Sequence, residues 1–198
     1  MKCAAATTLV LILGCSQLVG CNSGARRGDA PNANDLDRRI AYAVRLTEQG
    51  DAAKDPAVAL EFYERALEQY AELAQAWNGK GVALLALDRY LEAGDAFRRA
   101  ADLWPDDPRP LFNLGLAYYN RRYFPEAREK FAGAIRRDPN HLPSLRAAVE
   151  CDRILNNGTP ETLEWIKRLL MLDPNPDNRE ELNLFRLRIQ HKLETEAG

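Results

Sequence analysis

Two hydrophobic regimes divide the chain. From Ala4 to Gly20 apolar residues run almost unbroken, with Thr7, Thr8, Ser16 and Gln17 as the polar interruptions. From about residue 36 onward they recur at helical spacing, in short segments punctuated by Asp, Gly and Pro. The spacing itself repeats. Laid over Pro108–His141 without a gap, Ala74–Asp107 pairs Trp77 with Leu111, Gly81 with Gly115, Leu84 with Tyr118, Ala93 with Ala127, Phe97 with Phe131, Ala100 with Ala134 and Pro105 with Pro139, a period of 34 residues. Each unit predicts two helices joined by a turn near Asp88–Arg89 or Arg121–Arg122. Gly81 and Ala93 are small where the helices of a pair should touch. Phe97 and Phe131 are expected to fill the space between one pair and the next. Pro105 and Pro139 should stop the second helices, and Asp107 followed by Pro108 reads as a cap with a first-turn proline.

The pattern extends both ways. Ile40–Leu73 keeps a matching second helix through Ala59, Tyr63 and Ala66, but Ala43, Thr47 and Gly50 depart from it in the first helix, and Ala71 replaces the closing Pro. The stretch GDAAKDP reads as a break between helices, with Pro56 in a first turn. Downstream, Leu145 fits the pattern and Val149 does not. The next helix starts at Pro160, about one residue late, and Leu172-Asp173-Pro174 repeats the closing signal. A final helix from Arg179 to Leu193 places Leu182, Phe185, Ile189 and Leu193 on one face, with polar residues outward, as a cap over an open end requires.

This constellation resembles the tetratricopeptide repeat (TPR) family. The resemblance implies an all-α fold: a solenoid of helix-turn-helix pairs wound as a right-handed superhelix and closed by a C-terminal capping helix. The expected layout is repeats at 36–73, 74–107 and 108–141, a degenerate fourth at 142–175 and a cap at 176–198.

The N-terminal run is too short and interrupted for a spanning helix, which needs about 20 apolar residues. With Lys2 before it and small residues at its end, it reads as a secretory signal over 1–20. Its end, Leu18-Val19-Gly20-Cys21, resembles the lipobox of bacterial lipoproteins, in which the cysteine thiol is acylated and the peptide is cut before it. Ile12-Leu13-Gly14-Cys15 is a poorer match. The competing reading is an ordinary cleaved signal, or an uncleaved anchor, with a chance cysteine. If the resemblance holds, Cys21 carries the lipid and the protein sits in the cell envelope, anchored to a membrane. Asn22, a residue other than Asp after the cysteine, then suggests the outer membrane if the source is Gram-negative. Residues 21–35 read as a flexible tether, whose 14 or so residues after the cysteine reach at most ~50 Å. Loss of 1–20 leaves Cys21 and Cys151 of the four cysteines, so no internal disulfide is expected, and Cys151 is either buried or a free reactive thiol.

The chain has 198 residues, 46% of them hydrophobic, enough for one packed domain, and a formal net charge of -2, which gives no basic footprint for nucleic acid. Two histidines, His141 and His191, supply little for a metal site, and both are expected on the surface. Asn78-Gly79-Lys80-Gly81 lacks phosphate-loop spacing and falls inside a helix pattern. Asn157-Gly158-Thr159 fits a glycosylation sequon but reads as a helix-ending Gly and a Thr cap before Pro160. No nucleophile, metal cluster or cofactor motif appears, so no enzyme, cofactor or metal is expected.

What remains is the concave side. In TPR folds it is lined by positions 2, 5, 9 and 12 of the first helices, which the resemblance maps to Gln75, Asn78, Val82 and Leu85, then Arg109, Phe112, Leu116 and Tyr119, then Arg146, Glu150 and Arg153. Phe112, Leu116 and Tyr119 form one helical stripe, opposite the core-facing Leu111, Leu114 and Tyr118. That apolar stripe is surplus to packing, so a peptide or amphipathic helix of a partner protein is expected to bury it. Asn78, Asn113 and Asn120 are placed to bond a partner's backbone, and Arg109 and Arg146 to meet acidic groups. Val44 and Glu48 occupy the places where the carboxylate-clamp subtype needs Lys and Asn, so a grip on acidic C-termini is not expected. Two other arrangements compete: adjacent helices or the tether cover the stripe, or a second copy pairs with it in a self-associating module. Similar TPR lipoproteins serve in pilus or secretin assembly and in organising cell-wall enzymes.

Overall fold

The computed structural model describes residues 33–173 and 176–197, and every regular element among them is helical. Cys21, the signal and most of the tether lie outside the described residues. The helices are α1 Ala33–Ala52, α2 Pro56–Gln69, α3 Ala74–Ala86, α4 Tyr90–Leu103, α5 Arg109–Asn120, α6 Phe124–Arg137, α7 Leu142–Ile154, α8 Pro160–Leu172 and α9 Pro176–Ala197. Each packs on the next in the chain, and α1 meets α3 and α3 meets α5, so the first helices form a row. This is the solenoid that the period requires.

The register holds to the residue at the turns. Among the described residues, Asp88, Arg122 and Asn156 are the non-glycine residues with left-handed backbone, at φ 59°, 62° and 49°, and each follows the first helix of its pair. The fourth pair therefore turns in step. It falls behind only afterwards, with α8 starting at Pro160, where Thr159 and Thr162 form a reciprocal capping box. Asp55 caps α2 through its carboxylate, which accepts from the Ala57 N–H at 2.9 Å. Asp107 does the same for Arg109 N–H at 2.8 Å, beside Pro108.

Three expectations are corrected. α1 begins at Ala33, within the stretch read as tether, and it runs through Gly50 to Ala52, so GDAAKDP breaks the helix only at Ala53–Asp55. Gly50 and Gly79 flank one ring: a Cβ at either would come within 2.7 or 2.5 Å of Tyr63 Cε1, so both stay small to admit it. Phe97 and Phe131 do reach the next pair, sharing cores with Leu114 and with Leu145 and Val149, and they also lie against the first helix of their own pair, where a Cβ at Gly81 or Gly115 would meet the rings at 2.4 and 2.5 Å. Gly158 is not the left-handed residue that ends α7. Asn156 is, and Gly158 instead clears space for Ile189, whose Cγ1 would lie 2.2 Å from an added Cβ.

Cys151 is fully buried in the core shared by α6, α7 and α8, and burial pushes its thiol up to about 12. A thiolate is the reactive form, so the thiol should be inert while folded. Iodoacetamide alkylation of the Cys151 peptide, followed by mass spectrometry, should be at least about a hundredfold slower in native protein than in denatured protein, because only opened molecules expose it. Equal rates would contradict the packing.

Candidate functional site

The stripe on α5 lines a groove. Phe112, Leu116 and Tyr119 are half-buried, and they form one wall of a hollow of about 440 Å³. Phe131 lies beneath, its ring centroid 5.7 Å from that of Phe112. Leu142, Pro143 and Ala147 of α7 form the far wall. The opening exists because α5 and α7 come less close than α1 and α3 or α3 and α5 do. The chain's own first helices therefore do not close over the stripe.

Aromatic edges fix the wall. Tyr119 meets Phe124 edge-on at 5.3 Å, and Phe112 meets His141 at 5.5 Å. Desolvation, with help from the Glu150 charge, raises the Tyr119 phenol above its ordinary value, so it stays a protonated donor. Arg146 and Glu150 end the groove and continue into a smaller hollow of about 210 Å³, reached by Arg153, Phe185 and Leu182.

The charged and amide residues are less available than expected. Arg146 reaches the buried Asp173 carboxylate at 2.9 Å. Arg109 is held by Asp107 and stacks 4.9 Å over Trp104. Arg153 grips Glu150 through two bonds of 2.7 Å. Asn113 donates to Asn78 Oδ1 at 2.9 Å, which ties α3 to α5 and leaves each amide part of its bonding capacity. Val82 is 48% exposed on α3, but Leu85 packs into the core beside it rather than extending the stripe. Asn120 is exposed at the end of α5, away from the groove lining. The structure thus gathers Phe112, Leu116, Tyr119 and Arg146, and leaves Asn78, Asn113, Val82, Leu85, Arg109 and Asn120 outside the hollow.

Sequence reasoning missed the far wall. Pro143 stands at position 2 of the fourth unit, so the spacing that selects Arg146 and Glu150 also selects it. A larger hollow of about 590 Å³ lies at the turn edge between α4 and α5, but its rim charges are already engaged, Arg89 by Glu92 and Arg98 by Asp95.

His141 is half-buried at the groove mouth, not on the open surface as expected. Its Nδ1 lies 2.7 Å from the buried Ser144 Oγ. Desolvation lowers its pKa below the ordinary 6.5, against the opposing pull of Asp138 and Asp107. The unfolded chain therefore binds the extra proton first. This contribution is fully present above pH 6.5 and is lost as pH falls through the lowered value. Denaturation midpoints taken from about pH 7.5 down to about pH 5 should fall more for wild type than for His141→Gln. Parallel curves would remove the assignment.

Comparison with known proteins agrees with this architecture. Residues 50–108 match one tetratricopeptide-repeat model and residues 108–141 match another, so this part of the chain is built of tetratricopeptide repeats. No curated protein matches the chain. Among solved structures, Pseudomonas aeruginosa pilF aligns with a TM-score of 0.61 at 21% identity, over 82% of this chain and 72% of its own. The Arabidopsis OM64 TPR domain aligns at 0.56 and 19% identity, over 59% of this chain and 98% of its own. The first TPR of Spaghetti (RPAP3), bound to the HSP90 peptide SRMEEVD, aligns at 0.56 and 15%, over 59% and 95%. At these identities the likeness establishes the fold. The matching family models are of repeats, and neither is of a catalytic family.

Proposed function

We propose that this protein is a lipid-anchored scaffold of the cell envelope that holds a peptide or amphipathic helix of another envelope protein in the groove between α5 and α7. The observation that carries the reading is the open apolar hollow of about 440 Å³ walled by Phe112, Leu116 and Tyr119 on one side and by Leu142 and Ala147 on the other. Burying such a surface is favourable at roughly 25 cal/mol per Å² of apolar area, so a helix laying its apolar face there gains affinity without new chemistry. Tetratricopeptide repeats suit this work because a row of first helices presents an extended concave surface.

The ligand should be apolar rather than an acidic C-terminus. Val44 and Glu48 give the first repeat no cation to hold a terminal carboxylate, and Arg109 and Arg146 are already engaged by Asp107 and Asp173. The anchor at Cys21 rests on the lipobox resemblance. It would confine the scaffold to a surface and raise the effective concentration of its partner there.

Crosslinking and pulldown from membranes should recover a partner with wild type and lose it with Leu116→Asp/Tyr119→Ala. Recovery of the same proteins by both sinks the groove. Metabolic labelling with a fatty acid should mark wild type and not Cys21→Ser, and equal label would remove the anchor.

A further inference from the structure

The capping helix buries one side and carries a second apolar strip on the other. Phe185 and Ile189 are buried toward the solenoid, with Leu182 and Leu193 packed beside them. Ile189 seats against Gly158, which fixes the rotation of α9. Leu184 and Leu187 are then 51% and 55% exposed, where a cap was expected to be polar. At 3.6 residues per turn, Glu180, Leu184, Leu187 and His191 fall on one outward line, and all four are exposed.

We propose that this outer face pairs antiparallel with the same face of a second copy, making a homodimer through α9. The order of charges selects that occupant. Glu180 precedes the two leucines on the outward line, Glu181 stands at its edge where it also lines the hollow beside Arg153, and Arg188 and His191 follow the leucines. A two-fold axis between Leu184 and Leu187 sets Leu184 of one copy against Leu187 of the second. The same axis brings Glu180 opposite His191, and sets Glu181 diagonally to Arg188 on one flank and Asn183 diagonally to Gln190 on the other, each about 3 Å out of register along the axis. An isologous contact needs a self-complementary patch, and this one is. Parallel pairing would instead set Glu180 against Glu180 and Arg188 against Arg188, which like-charge repulsion disfavours. The helix has 22 residues, about 33 Å of rise, enough for a continuous two-helix seam. The stripe on α5 takes no part, so a dimer presents two grooves, and a partner with two binding segments is held by both.

Sedimentation equilibrium of the full chain in density-matched detergent tests this. Wild type should show a concentration-dependent dimer. Leu184→Asp/Leu187→Asp should weaken it by about a hundredfold or more, and Glu181→Arg or Arg188→Glu alone by about tenfold. The double swap Glu181→Arg/Arg188→Glu should restore most of the loss, which a merely structural role for either residue would not produce. Protection of Cys151 from alkylation reports that each variant is folded. A monomer at every concentration, a dimer indifferent to these changes, or a double swap no better than the single ones overturns the proposal. A dimer lost on Phe112→Ala but kept by Leu184→Asp/Leu187→Asp places the second copy in the groove and overturns it equally.

Discussion

Asp152→Ala should lower folding stability by about 3–5 kcal/mol, among the largest losses expected of any single substitution in this chain. The Asp152 side chain is fully buried on α7. One oxygen takes the Arg128 Nε of α6, and the other accepts from Thr162 Oγ1 of α8 at 2.6 Å. Three helices from two adjacent pairs therefore meet at one carboxylate. Arg128 is 18% exposed and lies 4.8 Å over the Trp165 ring. Without the carboxylate it becomes a largely desolvated cation whose remaining ionic partner is the half-exposed Glu161, 3.2 Å away. That stranded charge, more than the lost attraction, sets the size of the effect. The apolar replacement Arg128→Met/Asp152→Leu should accordingly cost less than Asp152→Ala, because it removes the desolvated cation together with the carboxylate and leaves Thr162 its capping-box bonds to Thr159. Urea midpoints at constant slope measure both. An Asp152→Ala variant within about 1 kcal/mol of wild type would show that the network contributes little.

Phe131→Ala should cost a similar amount, about 3–5 kcal/mol, and should also spoil the groove. The ring is fully buried, rests on Gly115 of its own pair and supports Phe112 at 5.7 Å. Its loss leaves a cavity under the binding wall that the neighbouring helices can only partly collapse into. Gly115→Ala tests the same contact from the other side: the added Cβ would lie 2.5 Å from the ring and force it aside, a cost of roughly 1–3 kcal/mol from overpacking. Because the two residues touch, Gly115→Ala/Phe131→Leu should be more stable than the sum of the two single changes implies. Phe131→Leu alone should fold yet capture less partner in the membrane pulldown, since Phe112 loses its backing. Additive energies, or undiminished capture, would separate this ring from the groove.

Much of the architecture was legible because two helices can approach closely only where side chains are small. Gly81 and Gly115 mark the places where Phe97 and Phe131 enter, so the need for space writes a periodic signal into the chain. The turns were legible for a similar reason. Asp88 and Arg122 sit one period apart because each first helix must end at the same height for the next to stack, and Asn156 keeps that period although Gly158 reads as the helix end. Gly50 was misread because a glycine that admits Tyr63 into a helix and a glycine that ends one look alike in sequence. Half of the candidate site was legible too. Phe112, Leu116 and Tyr119 share a helical face opposite one already committed to the core, and that follows from the angle between successive residues alone.

The sequence by itself determined the repeat, the turn positions, the buried faces and the stripe on α5, since all of these depend on contacts within one helix or between neighbours one period apart. Only the tertiary structure decided which charges remain available and where the groove opens. Arg146 and Asp173 are 27 positions apart in the chain, and Arg109 and Trp104 meet around a cap, so their pairing depends on how the helices cross. The gap between α5 and α7 and the outward turn of Leu184 and Leu187 likewise follow from the angle at which the last pair and α9 settle. That angle is set by the combined packing of many side chains, such as Ile189 against Gly158, and no local pattern encodes it.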